Sequence, residues 1–181
     1  MYHIKADKRT ETSAKLITEA VLALMEEKSF DEITITEVQR RSGVSRSTFY
    51  RSFDKLEDVL ELLCDQGFRA AFERGGNLPV AVYRYWSENS RILETLVKIH
   101  RTDILYTSFR RTAADHPLIQ GLKEDEAQYD YFVSIVTSGM VGILTTWVEH
   151  GKTETGDQVL ERSIGAIATM AEMLFTEPQD T

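Results

Sequence analysis

The chain has 181 residues, of which 42% are hydrophobic and 28% charged, and its formal net charge at pH 7 is −8. This composition is typical of a soluble globular protein with one fair core and a small additional domain, and it argues against a disordered chain. The sequence has no uninterrupted run of 18 apolar residues, which a membrane-spanning helix would need. The first nine residues lack the apolar core of a signal peptide. We therefore expect a cytoplasmic protein with no membrane association.

Helical patterns follow one another along the chain, and no segment has the alternation of a strand. The first helix is predicted from Ser13 to about Lys28, because its apolar residues recur at helical spacing: Ile17, Ala20, Val21 and Leu24. The predicted fold class is all-α, with an N-terminal three-helix head and a C-terminal helical body.

Residues 33–53 predict two short helices joined by a tight turn. Thr34 and Glu37 have the spacing of a capping box that starts the first of these helices. Gly43 supplies the left-handed backbone on which this helix ends, and Ser45 is a good N-cap for the second. Phe49 and Phe53, four residues apart, are expected to face inward. The pattern indicates a helix-turn-helix.

A helix-turn-helix places the start of its second helix in the DNA major groove. Arg46, Ser47 and Thr48 lie at that start, whereas Tyr50 and Lys55 flank the helix and are expected to donate to phosphates. The alternative is a surface helical hairpin with solvated arginines. The predicted DNA-binding residues are Thr34, Ser45, Arg46, Ser47, Thr48, Tyr50 and Lys55.

The charge is distributed unevenly along the chain. Residues 1–51 carry a net charge of +1, and the remaining residues carry −9. An acidic body with a nearly neutral head does not exclude binding of the head to DNA.

Several of these segments resemble the N-terminal domain of TetR-type transcriptional regulators. They are Thr34-Ile35, Gly43-Val44-Ser45, Thr48 to Phe53 and Asp54 to Leu60. Gln39 departs from the family pattern, which usually has alanine there. The core of 132–151, Ser-Gly-Met-Val-Gly-Ile-Leu-Thr-Thr-Trp, is similar to the body of a subgroup that includes dihydroxyacetone kinase regulators. The resemblance implies an effector-released repressor, and its subgroup leaves open a body that binds a partner protein instead.

The domain boundaries follow from helix signals after the head. Asp54 and Glu57 have the spacing of a second capping box, which predicts a connecting helix that ends at Gly75-Gly76. The predicted domains are a DNA-binding domain at 1–53, the connecting helix at 54–75, and an effector-binding and dimerisation domain at 76–181.

The last two helices of the body are predicted to form a dimer interface. The first runs from about Asp125 to Glu149. It has two apolar stripes, with Phe132 and Trp147 on one and Val133 and Leu144 on the other, and one supporting domain could hardly cover both. The second starts near Asp157. TetR-type proteins dimerise through two such helices, and a two-fold dimer matches a palindromic operator. The alternative is that both stripes are intradomain core. The predicted interface residues are Gly139, Gly142, Ile143, Ile164, Ala168 and Ala171.

Aromatic residues on several body helices suggest an effector pocket, although each one alone is more often a core residue. The predicted pocket residues are Tyr83, Trp86, Tyr106, Phe109, Phe132 and Trp147. The four histidines show no metal-ligand spacing, and no catalytic motif or phosphate-binding loop is present. We therefore expect no enzyme activity, no metal and no cofactor. The expected partners are double-stranded operator DNA, a second copy of the chain, and either a small-molecule effector or a partner protein.

Overall fold

The computed structural model describes residues 2–4, 6–121 and 126–175, and most of these residues are helical. A short 3-10 helix at Phe30–Glu32 and an isolated bridge between Tyr2 and Phe53 supplement the α-helices. The all-α prediction is confirmed. The helices are α1 (Lys8–Glu27), α2 (Ile35–Ser42), α3 (Arg46–Ser52), α4 (Glu57–Glu73), α5 (Leu78–Glu88), α6 (Arg91–Lys98), α7 (Asp103–Ala113), α8 (Pro117–Gln120), α9 (Glu126–Glu149) and α10 (Gly156–Phe175).

The first helix begins earlier than its apolar stripe predicted. Asp7 is its N-cap, and the Asp7 carboxylate accepts hydrogen bonds from the backbone N–H and the hydroxyl of Thr10 at 2.9 and 2.7 Å. A cap of this kind satisfies N–H groups that the helix itself leaves unpaired. The prediction of a start at Ser13 was therefore wrong by one and a half turns. The buried face of α1, including Ile17 and Val21, covers α2 and α3 as expected.

The body packs around α4 and α7. Phe68 of α4 lies edge-on to Trp86 of α5 and Phe109 of α7, with ring centroids 5.1 and 5.3 Å apart. All three side chains are buried, so this aromatic cluster forms the centre of the body core. Gly67 permits the close approach of α4 and α5, because a Cβ there would lie 2.8 Å from the Trp86 ring.

The head contacts the body through α1 and α4. Arg91 at the start of α6 pairs with Glu26 near the end of α1 at 2.5 Å, and the Lys98 ammonium donates to the Ser29 hydroxyl. The helix α4 continues from the end of the head into the body core. A change in the packing of the body would therefore act directly on α1 and α4, the helices that hold the head.

The long helix α9 starts at Glu126; Asp125, the predicted start, lies outside the described residues, as do residues 1 and 176–181 at the ends of the predicted domains. Within Gln128–Glu149 of α9, a window of 18 residues has a mean hydropathy of 1.5, so this helix is long and apolar enough to cross a membrane. One such helix is weak evidence for a membrane segment, because core helices of soluble proteins pass the same test.

Candidate nucleic-acid interface

The capping box that starts α2 is formed. The backbone N–H of Glu37 donates to the Thr34 hydroxyl at 3.3 Å, and the Glu37 carboxylate accepts from the Thr34 backbone N–H at 3.0 Å. The Lys28 ammonium donates to both Glu37 oxygens at 2.7 Å. The hydrogen bonds from Lys28 and Thr34 lower the pKa of Glu37 to about 2. Thr34, predicted to bind DNA, is exposed, but its hydroxyl holds the helix start.

The turn between α2 and α3 has the predicted chemistry. Gly43 has a φ of 69°, and its N–H donates to the Gln39 carbonyl at 2.9 Å. A Cβ at Gly43 would meet no atom within 4 Å, so glycine is required for its left-handed backbone and not for space. Val44 is buried beside it, and Phe49 and Phe53 are fully buried. This packing fixes the angle between the two helices.

Three hydroxyl groups cluster at the start of α3. The Ser45 hydroxyl accepts the Thr48 backbone N–H at 3.2 Å and lies 3.1 and 2.9 Å from the hydroxyl oxygens of Ser47 and Thr48. Ser45 is therefore an N-cap, as predicted. Ser45 and Ser47 are exposed and Thr48 is half-buried, so the cluster presents donors and acceptors to the outside at the end of the helix that would enter a groove.

Arg46 and Tyr50 form a pair on the exposed side of α3. The Arg46 guanidinium carbon lies 5.3 Å from the centroid of the Tyr50 ring, and the guanidinium donates to the phenol oxygen at 3.3 Å. The ring of Tyr50 also packs edge-on against buried Phe49, with centroids 5.5 Å apart. Tyr50 therefore holds the Arg46 guanidinium on the exposed surface of α3.

Lys55 lies three residues after the end of α3, and its side chain is exposed. The predicted capping box of Asp54 and Glu57 is not what orders this turn. The buried carboxylate of Asp58 accepts from the backbone N–H groups of Asp54 and Lys55 at 2.8 and 3.2 Å. The helix α4 consequently starts at Glu57 rather than at residue 54, and the prediction of this box was wrong.

Sequence reasoning missed the segment Tyr2–Ile4. Tyr2 pairs with Phe53 in an antiparallel bridge, and the His3 backbone N–H donates to the Ser52 carbonyl at 2.7 Å. The Tyr2 hydroxyl donates to the carboxylate of Asp65 at 2.5 Å. These contacts join residues about 50 to 63 positions apart, and no local pattern in the sequence signals them.

The predicted pocket residues lie in different surroundings. Trp86 and Phe109 belong to the aromatic core, and Tyr83 is buried. Tyr106 is half-buried and lies beside Arg110, Phe132 is exposed on α9, and Trp147 lines an open groove between α9 and α10. The Trp147 indole N–H donates to the Glu154 carbonyl at 2.9 Å, whereas the buried Trp86 indole N–H has no hydrogen-bond partner among the described residues.

The predicted interface residues lie on a large apolar surface formed by α9 and α10. Ile164 is 58% exposed and Ile135 65% exposed, while Gly139, Gly142 and Ala168 are also exposed and Ile143 and Ala171 are half-buried. A Cβ added at Gly139 or Gly142 would meet no atom within 4 Å. Trp147 is buried like Val133 and Leu144, whereas Phe132 is exposed, so the prediction that Trp147 shares a stripe with Phe132 was wrong. The surface continues to the end of α10 through Ile167, Met170, Met173, Leu174 and Phe175.

No group of three or more His, Cys, Asp or Glu residues is arranged to hold a metal ion within the part of the chain that the structure describes. The thiol of Cys64 is buried, and burial raises its pKa well above the usual range. Such a thiol packs as an apolar side chain and is a poor nucleophile.

Comparisons with known proteins agree with this geometry. Residues 17–63 match the family model described as bacterial regulatory proteins, tetR family, and residues 80–167 match the model described as a transcriptional regulator C-terminal region. A TetR transcriptional regulator from Streptococcus agalactiae 2603V has a similar crystal structure, with a TM-score of 0.59, 19% identity and coverage of 89% of this chain and 96% of that chain. The dihydroxyacetone kinase operon activator DhaS is similar with a TM-score of 0.59, 14% identity and coverage of 89% and 97%. No curated protein sequence matches the chain.

Proposed function

Because the chain belongs to the tetR family of bacterial regulatory proteins and is a transcriptional regulator with a DNA-binding head, we propose that it is a cytoplasmic repressor. It binds a palindromic operator as a homodimer and is released by an effector that the body binds. The exposed face of α3, with Arg46 and Tyr50 paired at its surface, is the observation that carries the DNA-reading part of this proposal.

The apolar surface of α9 and α10 supports the homodimer. Leu174 is 70% exposed and Phe175 is 86% exposed. Contact of such a large apolar surface with water is unfavourable in free energy unless another surface covers it. A second copy of the chain offers the same surface, and a two-fold axis would pair the open glycines of α9 with the side chains of the partner. A single helix-turn-helix also makes too few base contacts for specific binding.

Two measurements test the homodimer and the operator together. Sedimentation should give a mass near twice the 20.7 kDa of the chain at micromolar concentration. Selection of duplexes from a random DNA pool should yield inverted repeats with half-sites about 10 base pairs apart. A mass of one chain, or a selected pool without symmetry, would contradict the proposal.

A matched pair of variants separates loss of the dimer from general damage. Ala168→Glu places a charge on the proposed interface, where burial of an unpaired charge would cost several kcal/mol. Thr12→Glu places the same charge on the exposed side of α1 in the head. We expect the first variant to be monomeric and the second to remain dimeric, with both retaining their helical circular dichroism.

A small-molecule effector is favoured by the unpaired indole N–H of Trp86. A buried donor without a partner costs free energy, and a ligand acceptor that reached it would recover this cost. Tyr83 and Phe109 lie on α5 and α7, which both pack against α4, so a ligand that reached Trp86 would press directly on α4. Trp147→Phe leaves Trp86 as the sole tryptophan, and its fluorescence should change on binding of hydrogen-bond-accepting metabolites that release DNA.

A partner protein is the second candidate for the body. The core around Trp86 is tightly packed, since even one carbon atom added at Gly67 would lie 2.8 Å from the ring. Such packing leaves little room for a ligand without movement of α4 or α5. If no metabolite changes the Trp86 fluorescence while operator binding is intact, the body is a surface for a partner protein and the effector proposal is wrong.

A further inference from the structure

The segment Tyr2–Ile4 is attached to the end of the recognition helix α3. Tyr2 bridges Phe53, the residue that ends α3, and the His3 backbone N–H donates to Ser52 at 2.7 Å. The His3 ring also lies 3.1 Å from the Asp54 carboxylate. These contacts place the segment directly against the backbone from which the DNA-reading side chains project.

The same segment is attached to the body through one carboxylate. Asp65 of α4 has no exposed surface, and its Oδ2 atom accepts the Tyr2 hydroxyl at 2.5 Å. The guanidinium of Arg111 on α7 binds both oxygens of Asp65, at 2.8 and 2.9 Å, and lies over the Tyr2 ring with its carbon 5.6 Å from the centroid. Oδ2 therefore accepts from the head segment and from the body at once.

The electrostatics agree with this geometry. Burial and the hydrogen bond to Asp65 raise the pKa of Tyr2 to about 12, because the phenol must stay protonated to donate. Nearby Arg111 and Arg69 act in the opposite direction. The hydrogen bond to Asp65 raises the pKa of Arg111, so this guanidinium keeps its charge. Both donors to Asp65 are in place at any physiological pH.

We propose that Tyr2, Asp65 and Arg111 are positioning residues for DNA binding, which fix the recognition helix relative to the body and thereby set the separation of the two heads in the dimer. This inference rests on the proposed homodimer and palindromic operator. A buried carboxylate that binds an arginine through both oxygens has a narrow range of geometries. A displacement of α7 must therefore move Asp65 together with the segment Tyr2–Ile4, or break a hydrogen bond to Asp65. None of the three residues needs to touch DNA.

Tyr2→Phe tests the proposal with little risk to the fold. The variant keeps the backbone bridge to Phe53 and the aromatic ring under Arg111, and Asp65 remains paired with Arg111, so no buried charge is left alone. Tyr85→Phe is the matched control, because Tyr85 is a half-buried tyrosine of α5 that also stacks on an arginine, Arg74, at 5.1 Å.

The measurement compares three duplexes. They are the duplex that the wild type selects from a random pool, the same duplex with one base pair inserted between the half-sites, and a single half-site. The inserted base pair moves one half-site by about 3.4 Å along the DNA, which rigid heads cannot follow. The spacing preference is the ratio of the affinities for the first two duplexes.

In Tyr2→Phe we expect the spacing preference to fall by about tenfold, the lower end of the range for loss of one hydrogen bond to a charged group. Half-site affinity should change little, because the contacts of each head to DNA are unaltered, and the melting temperature should fall by only a few degrees, as expected for loss of one hydrogen bond. A merely structural role would show the same small fall in melting temperature and leave the spacing preference unchanged. Tyr85→Phe should behave as the wild type.

Arg111→Lys provides an independent second variant. It keeps the charge beside Asp65 but loses the two-pronged geometry. It should relax the spacing preference as well, and Tyr2→Phe combined with Arg111→Lys should relax it no further than the stronger single variant, because both act through one carboxylate. Unchanged spacing preference in both single variants, or additive effects in the double variant, would overturn the inference. Failure of the wild type to select a symmetric duplex would contradict the proposed function instead.

Discussion

The Arg46 guanidinium lies over the ring of Tyr50 one helical turn further along α3, with 5.3 Å between the guanidinium carbon and the ring centroid. Stacking on an aromatic face limits the directions in which a long arginine side chain can point. Tyr50 thus supports Arg46, and its predicted role as a donor to a phosphate would be additional to this support. The two residues are therefore expected to act together in DNA binding.

The first prediction concerns this pair. Arg46→Ala should cost about 1–3 kcal/mol of operator affinity and relax the preference at one base position, as expected for loss of a contact to guanine. Tyr50→Ala should lose part of the same free energy, so the double variant should lose less than the two single losses added together. Titrations on selected and scrambled duplexes measure these losses. Full additivity would show that the stacking has no role, and unchanged selectivity in Arg46→Ala would refute the orientation of α3.

Lys55 should contribute to affinity without contributing to specificity. Its exposed ammonium group follows α3 and is expected to lie beside the phosphate backbone. Lys55→Ala should weaken binding to selected and scrambled duplexes alike and reduce the slope of log affinity against log salt by about one. Lys152→Ala, which removes a lysine that pairs with Glu94 in the body, is the control and should leave the slope unchanged. An equal change in both variants would indicate an effect of net charge alone.

A small substitution tests how closely the two copies approach. The Cβ of Gly142→Ala would meet no atom within 4 Å in a single chain, and alanine favours a helix by about 1 kcal/mol over glycine. Within one copy the substitution should therefore be harmless. Across a close helix contact it should weaken the dimer, which sedimentation over a range of concentrations measures. A dimer that is as stable as the wild type, or more stable, would show that Gly142 lies outside the contact.

The structure of the head was more predictable from sequence than the contacts that join the head to the body. Thr34, Glu37, Gly43 and Ser45 act within a few positions of one another, and each has the role that its local pattern predicted. Asp58 was missed because two signals compete at the start of α4, and a buried carboxylate three or four positions on caps the turn better than the predicted box. Local rules describe such short-range chemistry well.

The body shows the opposite limit. The apolar stripes of α9 and α10 were recognisable, but periodicity alone did not show that Trp147 lies on the inner stripe or that Phe132 faces outward. The contact between Tyr2 and Asp65 spans 63 positions and depends on the packing of α4 against α7. Its residues have no spacing that distinguishes them from other surface or core residues, so it required the three-dimensional structure.

The pair of Lys28 and Glu37 should make stability depend on pH. Hydrogen bonds from Lys28 and Thr34 hold the pKa of Glu37 at about 2, below its ordinary value of 4.5. A depressed pKa in the folded state contributes stability that is complete above about pH 4.5 and is lost as the pH falls towards 2. Denaturant titrations should show that the free energy of unfolding of the wild type falls more steeply across this window than that of Glu37→Gln. Glu19→Gln, which breaks an exposed pair at 3.8 Å, should have little effect at either end of the window.

The last prediction concerns the packing of α4 on α5. In Gly67→Ala the new Cβ would lie 2.8 and 2.9 Å from two carbon atoms of the Trp86 ring, closer than packed atoms come. The ring or the helix must shift, and overpacking of this kind costs about 1–3 kcal/mol of stability. Both carbon atoms belong to the benzene ring of the indole, the part of the side chain farthest from the backbone. The smaller side chain in Trp86→Phe does not reach as far, so Gly67→Ala should cost much less stability in that background. Thermal unfolding of the four proteins measures the interaction between the two positions. An equal cost in both backgrounds would mean that the close contact with Trp86 does not limit the approach of α4 to α5.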